Sequence, residues 1–163
     1  MVILNRILST ILLRVQLKVI KNLQVFSPSK SINKLSIHKL VGTLKKELDL
    51  QINSLVINFV TETEITDLNE KYLGHYYSTD IITFDYSEDK KEIDAEIFIS
   101  LDDAESNARK YKVHFKNEVT RLIIHGILHL LGYDDQQKKD KIIMKRLEND
   151  LLNRNKFILL RGR

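Results

Sequence analysis

Cysteine and tryptophan are absent from this chain of 163 residues, and Pro28 is its single proline. The lack of cysteine excludes a disulfide framework and a thiolate metal site, and it fits a reducing compartment. Glycine is scarce: Gly42, Gly74, Gly126, Gly132 and Gly162 are scattered, and no phosphate-cradling loop is formed, so nucleotide-cofactor use has no support. Acidic residues are missing altogether before Glu47, whereas Arg6, Arg14, Lys18, Lys21, Lys30, Lys34, Lys39, Lys45 and Lys46 precede it. Such a basic third can lie along phosphates or be plain solvated surface. The net charge of +4 permits a polyanionic partner without requiring one. Uninterrupted apolar runs of membrane-spanning length are also missing. Ile3, Leu4, Ile7, Leu8, Ile11, Leu12, Val15 and Val19 make a stripe at helical spacing, but Arg6 and Arg14 break it short of the roughly 20 apolar residues a span needs. No small-residue cleavage site follows, which argues against a secretory signal. Residues 1–20 are therefore set apart as an unassigned amphipathic extension, readable as an added helix, a transit or membrane-surface segment, or an upstream start.

What the sequence does carry is His125-Gly126-Ile127-Leu128-His129-Leu130-Leu131-Gly132-Tyr133-Asp134-Asp135. In a helix, His125 and His129 stand one turn apart and point the same way. At about 100° per residue, Glu118, His125 and His129 share a narrow arc, while Ile123, Ile127, Leu130 and Leu131 take the opposite side. Gly132 can adopt the left-handed conformation that ends a helix, which lets Asp135 fold back under the two histidines. The expected metal ligands are His125, His129 and Asp135. Asp134 competes for the third place, and the offset favours Asp135. Ordinary core or solvated histidines are the plain alternative, made poorer by a glycine and an aspartate at these offsets. His38, His75 and His114 have no ligand-like spacing and read as surface or helix-start residues.

Zincin peptidases place H-E-x-x-H on a helix, and the metzincin extension adds a glycine and a third ligand in H-E-x-x-H-x-x-G-x-x-H. The ligand offsets match here, but Gly126 stands where the peptidase's general base would be, which weakens a metallopeptidase-like reading. Two histidines and a carboxylate also form the facial triad of non-haem iron(II) oxygenases. Those sites are normally carried on a β-barrel, not on a helix and the turn after it.

The same stretch resembles the YbeY family of metal-dependent endoribonucleases of ribosomal RNA maturation. It matches the family's H-G-x-L-H-L-x-G-Y-D-H at every defined position but the last, where Asp135 stands for histidine. Leu68-Asn69-Glu70-Lys71-Tyr72, continued by Ser78-Thr79-Asp80-Ile81-Ile82-Thr83-Phe84, is similar to the family's L-N-x-x-Y-R and T-D-V-L-S-F. Ala95-Glu96-Ile97-Phe98-Ile99-Ser100-Leu101 is similar to its G-D-I-x-I-S. The likeness runs from about Lys21 to the C-terminus.

The resemblance implies an endoribonuclease of rRNA processing and ribosome biogenesis. It implies one divalent metal ion, Zn2+, and RNA (ribosomal RNA or a ribosomal subunit) as partner, with no DNA. Three protein ligands leave a zinc-class ion a position for water, so the expected chemistry is phosphodiester hydrolysis through a metal-activated water, with the 2′-hydroxyl as the rival nucleophile. Cytoplasmic residence is the default, with an organelle left open by residues 1–20. The resemblance also implies a helpful arginine near the second block, and that position is Leu73 here. Asp80 and Arg121 are the candidate catalytic residues of the cleft. Thr79-Asp80 reads equally as a turn before a strand, and Arg121 as a replacement phosphate contact or a salt-bridge partner. Exchanging histidine for Asp135 adds negative charge and should weaken the metal as a Lewis acid. A ribosome-biogenesis RNA-binding factor with a structural metal site is the competing class.

Periodicity outlines the fold. Residues 22–26 and 54–60 read as strands, and residues 33–48 as an amphipathic helix between them. Thr63 or Thr66 is expected to cap a short helix through Glu70 that Gly74 ends. Residues 81–86 and 95–100 form a hairpin, and helices follow over 102–111, 116–131 and 139–152. The expectation is an α+β fold: one domain over residues 21–163, a small mixed β-sheet of about four strands, packed helices, and a zincin-like metal helix.

Overall fold

The computed structural model describes residues 19–160, so the extension expected over residues 1–20 lies, but for Val19 and Ile20, outside the described residues. The elements follow in the order β1 (Leu23–Phe26), α1 (Lys34–Glu47), β2 (Gln51–Val60), α2 (Glu62–Leu73), β3 (Ile81–Asp85), β4 (Glu92–Ser100), α3 (Leu101–Tyr111), α4 (Phe115–Leu130), α5 (Lys138–Asn155) and α6 (Phe157–Leu160). This is the sequence-predicted order with one short C-terminal helix added.

The sheet is mixed, in the order β1-β2-β4-β3, with β1, β2 and β4 parallel and β3 antiparallel to β4. Strand β2 begins earlier than the alternation predicts because its register with β4 slips between Ile52 and Ser54. Asn53 is the extra residue. The bulge returns Ile52 to the face that Leu55, Ile57 and Phe59 bury; strict alternation would have turned it away. Helix α2 likewise starts earlier than expected. Its cap is Thr61, not Thr63 or Thr66: the Thr61 hydroxyl accepts the Glu64 N–H at 3.3 Å and the Glu64 carboxylate accepts the Thr61 N–H at 2.8 Å. That reciprocal box outcompetes the later threonines because it satisfies donors at both ends of the first turn.

Helices pack on both faces of the sheet, but on the second face only over β3 and β4, leaving Phe26 of β1 exposed. On one face Leu23, Val25, Leu55, Ile57, Ile97 and Ile99 pack with Ile37, Leu40 and Leu44 of α1 and Ile123, Ile127 and Leu130 of α4 in a single cluster. On the other, Phe84 meets Phe98 and Tyr72 of α2 edge to face, with ring centroids 5.8 and 5.2 Å apart. Helix α4 sits close on the sheet because Gly126 has no side chain. A Cβ there would stand 3.0 Å from Ile81 Cδ1 and 3.2 Å from Ile97 Cδ1. Position 126 thus points into the sheet. None of the helices of the described residues is long and apolar enough to cross a membrane.

Candidate metal centre

Helix α4 presents His125 and His129 on the side opposite its core face, as their phase predicts. Their Nε2 atoms converge to 3.0 Å with the rings nearly perpendicular. The helix then closes in a Schellman turn. Gly132 takes φ +89°, the Tyr133 N–H reaches the Leu128 carbonyl at 3.1 Å, and the Gly132 N–H reaches that of His129 at 2.9 Å. This reversal brings Asp135 Oδ1 to 4.0 Å from His129 Nε2. One ligand atom from each of His125, His129 and Asp135 lies within 4.8 Å of the others, a group that can hold a metal ion. Donors to one zinc-class ion sit about 2.0–2.2 Å from it, hence up to about 4 Å apart. The 3.0 and 4.0 Å spans meet that limit, and a small rotation of the half-buried Asp135 side chain closes the widest one. Asp134 has other work: its Oδ1 accepts the N–H groups of Asp135 and Gln136 at 2.7 and 3.0 Å, fixing the turn.

The chemistry of the donors suits a cation. Burial and the neighbouring His125 hold the His129 pKa below its ordinary value, against the opposing pull of Asp135, the Tyr133 backbone and Asp134. A neutral imidazole is the form that ligates. His125 is oriented from behind by Glu148 of α5, whose Oε2 lies 2.8 Å from His125 Nδ1. Burial opposes the charge of Glu148. Hydrogen bonds from His125 and Lys145 and the positive charges of Lys145 and Arg121 outweigh it, holding the carboxyl below its ordinary pKa. An ionised carboxylate only accepts, so the His125 ring proton sits on Nδ1 and Nε2 keeps its lone pair for the metal.

Arg121 is placed one turn before His125, but it is engaged. Its guanidinium grips the buried Glu118 through Nε at 3.0 Å and Nη2 at 2.6 Å, and reaches Asp80 at 3.3 Å and Glu148 at 3.8 Å. Burial works against its charge, and the bonds and charge of Glu118, with Glu148 and Asp80, raise its pKa all the same. A phosphate would compete with these carboxylates for it. Asp80 also accepts from Asn107 at 3.0 Å, so it braces the start of β3 against α3 and α4.

The ligand group opens on a cleft of about 570 Å³ walled by Leu73, His75, Tyr77 and the segment from Thr79 to Thr83. Asp80 therefore lines the cleft, whereas Arg121 lines the hollow behind it, which also reaches Asp80, His125 and Asp135. His75 belongs to the wall. His114 caps α4, its Nδ1 accepting the Lys116 N–H at 3.1 Å. His38 accepts the Ile20 N–H at 3.1 Å. Sequence reasoning missed Glu148 as a partner of the centre. The available signal was a glutamate in phase with Met144, Leu151 and Asn155 on the buried side of α5.

A four-stranded α+β domain with a helix-borne His-x3-His pair, a glycine turn and a following carboxylate defines a class of metal-binding proteins with an open cleft beside the ligands. The comparisons make that class specific: the chain belongs to the YbeY family, whose sequence profile, described as Endoribonuclease YbeY, matches residues 20–156. The protein named Endoribonuclease YbeY of Chlorobium limicola is 39% identical over 133 residues, 81% of this chain and 92% of that one. Its namesake in Chlorobium phaeobacteroides is 42% identical over 116 residues, 71% and 81% of the respective chains. The solution structure of TM1509 from Thermotoga maritima shares the fold, with a TM-score of 0.60 at 24% identity over 83% of this chain and 89% of that one.

Proposed function

We propose that this protein is a metal-dependent endoribonuclease acting on ribosomal RNA in the cytoplasm, with one Zn2+-class ion held by His125, His129 and Asp135. One observation carries the reading: three ligand atoms within 4.8 Å of one another at the edge of a cleft large enough for a nucleotide. The relatives' name, Endoribonuclease YbeY, supplies the substrate class. When bound, such an ion supplies Lewis acidity, making a water nucleophilic near neutral pH and offsetting charge on a phosphoryl oxygen. The chain's own residues hold the geometry. Glu148 keeps the His125 proton on Nδ1, Asp134 fixes the turn that delivers Asp135, and Arg121 with Asn107 holds Asp80 in the cleft wall. The carboxylate of Asp135 adds a negative charge that a third histidine would not, which makes the ion a milder Lewis acid.

A peptidase reading has less room than the ligand spacing suggests, because a side chain at position 126 would crowd Ile81 and Ile97, with a Cβ already 3.0 and 3.2 Å from their Cδ1 atoms. A second reading, an RNA-binding factor with a structural metal, draws on Leu73, an apolar side chain in the cleft wall where the family carries arginine. Cleavage of structured ribosomal RNA by wild type, His129→Ala, Asp135→Asn and Asp134→Asn separates the two. The nuclease reading expects activity in wild type and in Asp134→Asn, loss in the other two, and loss on chelation that added metal reverses. Equal cleavage by wild type and His129→Ala would mark a contaminant and favour the binding factor.

A further inference from the structure

We propose that Tyr77, stacked on His75, forms a nucleobase subsite of the cleft, taking an unpaired base of the RNA; this rests on the endoribonuclease reading. Three observations carry it. The first is an aromatic surface left open beside the metal ligands. Tyr77 and His75 line the same cleft as His125, His129 and Asp135, and Tyr77 is 60% exposed. Their rings lie nearly parallel, 13° apart with centroids at 5.2 Å, and the Tyr77 hydroxyl meets His75 Nδ1 at 3.3 Å. A two-ring stack keeps outer faces on which a third flat ring can lie.

The second is that the stack is held in place. Asn69, only 2% exposed, donates its amide to the Tyr77 carbonyl at 2.7 Å, while its own carbonyl accepts the His75 N–H at 3.2 Å. Gly74, at φ +70°, turns the chain between them and α2. On the far side the Ser78 hydroxyl donates to Asp103, and Asp80 is tied to Asn107 and Arg121. A buried asparagine spent on the backbone of an exposed aromatic loop pre-orders that loop, which lowers the entropy cost of binding.

The third is what the cleft wall lacks. Among the described residues the wall includes no lysine or arginine, and two of its members are Asp80 and Asp135. Side chains of this wall offer apolar and aromatic surface from Leu73, Tyr77 and Ile81, with little for a phosphate. The part of an RNA that such a wall complements is the base, and single-stranded bases alone are free to stack on a tyrosine or histidine.

The test uses full-length, metal-loaded protein and a short single-stranded RNA carrying 2-aminopurine, or an abasic nucleotide, at each position in turn. In wild type one position is quenched on binding. Tyr77→Ala loses that quench and raises KM about ten-fold with kcat unchanged, while Tyr77→Phe, which keeps the ring, behaves as wild type. An abasic nucleotide at that position raises the wild-type KM by the same factor and adds nothing in Tyr77→Ala. Tyr76→Ala, 78% exposed and outside the cleft wall, changes none of these. Unaltered quenching and KM in Tyr77→Ala, with cleavage intact, would overturn the subsite and leave the nuclease standing; so would the absence of any quenched position in wild type. Quenching that depends on Tyr77 without cleavage by wild type would remove the nuclease and keep the subsite.

Discussion

At the scale of single residues, what makes a histidine a ligand is the hold on its other ring nitrogen. Glu148 provides that hold for His125 at 2.8 Å, and its second oxygen is occupied by Lys145 at 3.0 Å. Glu148→Gln keeps the shape and an acceptor oxygen but removes the charge that fixes the ring and strengthens its basicity. Metal affinity should fall about 10- to 100-fold, read by competition against a chelating indicator, with circular dichroism showing an intact fold. Unchanged affinity would leave Glu148 a purely structural role. The grouping of His125, His129 and Asp135 was legible because they lie in one helix and its turn, where about 100° per residue and a glycine fix their relation. Glu148 was not: its phase on α5 showed that it is buried, but not that His125 of another helix waits there. The same limit applies to Arg121: its phase with His125 and its i,i+3 partner Glu118 lie on one helix, while its contact with Asp80 depends on how β3 docks against α4.

Elements are placed by what their contacts exclude. Gly126 lets α4 approach β3 and β4, and Gly126→Glu, which would complete the peptidase pattern H-E-x-x-H, puts a carboxylate against Ile81, Ile97 and Thr83. The cost combines overpacking with a buried unpaired charge, about 3 kcal/mol or more, and denaturant unfolding should show it without any gain of peptidase activity. Helix α2 offers a gentler probe. The Thr61 backbone N–H and hydroxyl hold the Glu64 carboxyl below its ordinary pKa of 4.5, more than offsetting slight burial. A depressed folded pKa contributes stability that is fully present above the unfolded value and lost as the pH falls through the folded one. The Tm advantage of wild type over Glu64→Gln should therefore be complete at neutral pH and vanish well below pH 4.5. A difference independent of pH would show that the capping box does not depend on the carboxylate's charge. Element order was readable from period and caps, yet two starts were not. The capping box at Thr61 lies upstream of the threonines that the apolar phase favours, and the bulge at Asn53 hides the first residues of β2 from any period-two reading.

The whole molecule sets how far metal binding and folding are linked. Which strand lies beside which could not be read from alternation, and the sheet order β1-β2-β4-β3 puts β3 at an edge, where it walls the cleft next to α4. The main core, from β1 and α1 across to Ile123 and Ile127, lies on the opposite side of α4 from the ligands. Its apolar burial does not pass through the metal site, and all three ligands come from α4 and the turn that follows. The metal should therefore add to the stability of an already folded domain instead of creating the fold. At a hundred-fold excess over Kd, one ion that binds only the native state contributes about 2.7 kcal/mol. For a chain of this size each kcal/mol is about 2–4 °C, so Tm should rise by roughly 5–10 °C on adding Zn2+ and return on chelation. His129→Ala should unfold cooperatively near the metal-free wild-type Tm and show no shift with metal. If chelation instead abolished the cooperative transition of the wild type, the turn from Gly132 to Asp135 would be holding the domain together through the ion, and the independence of core and site argued from their placement on α4 would be wrong.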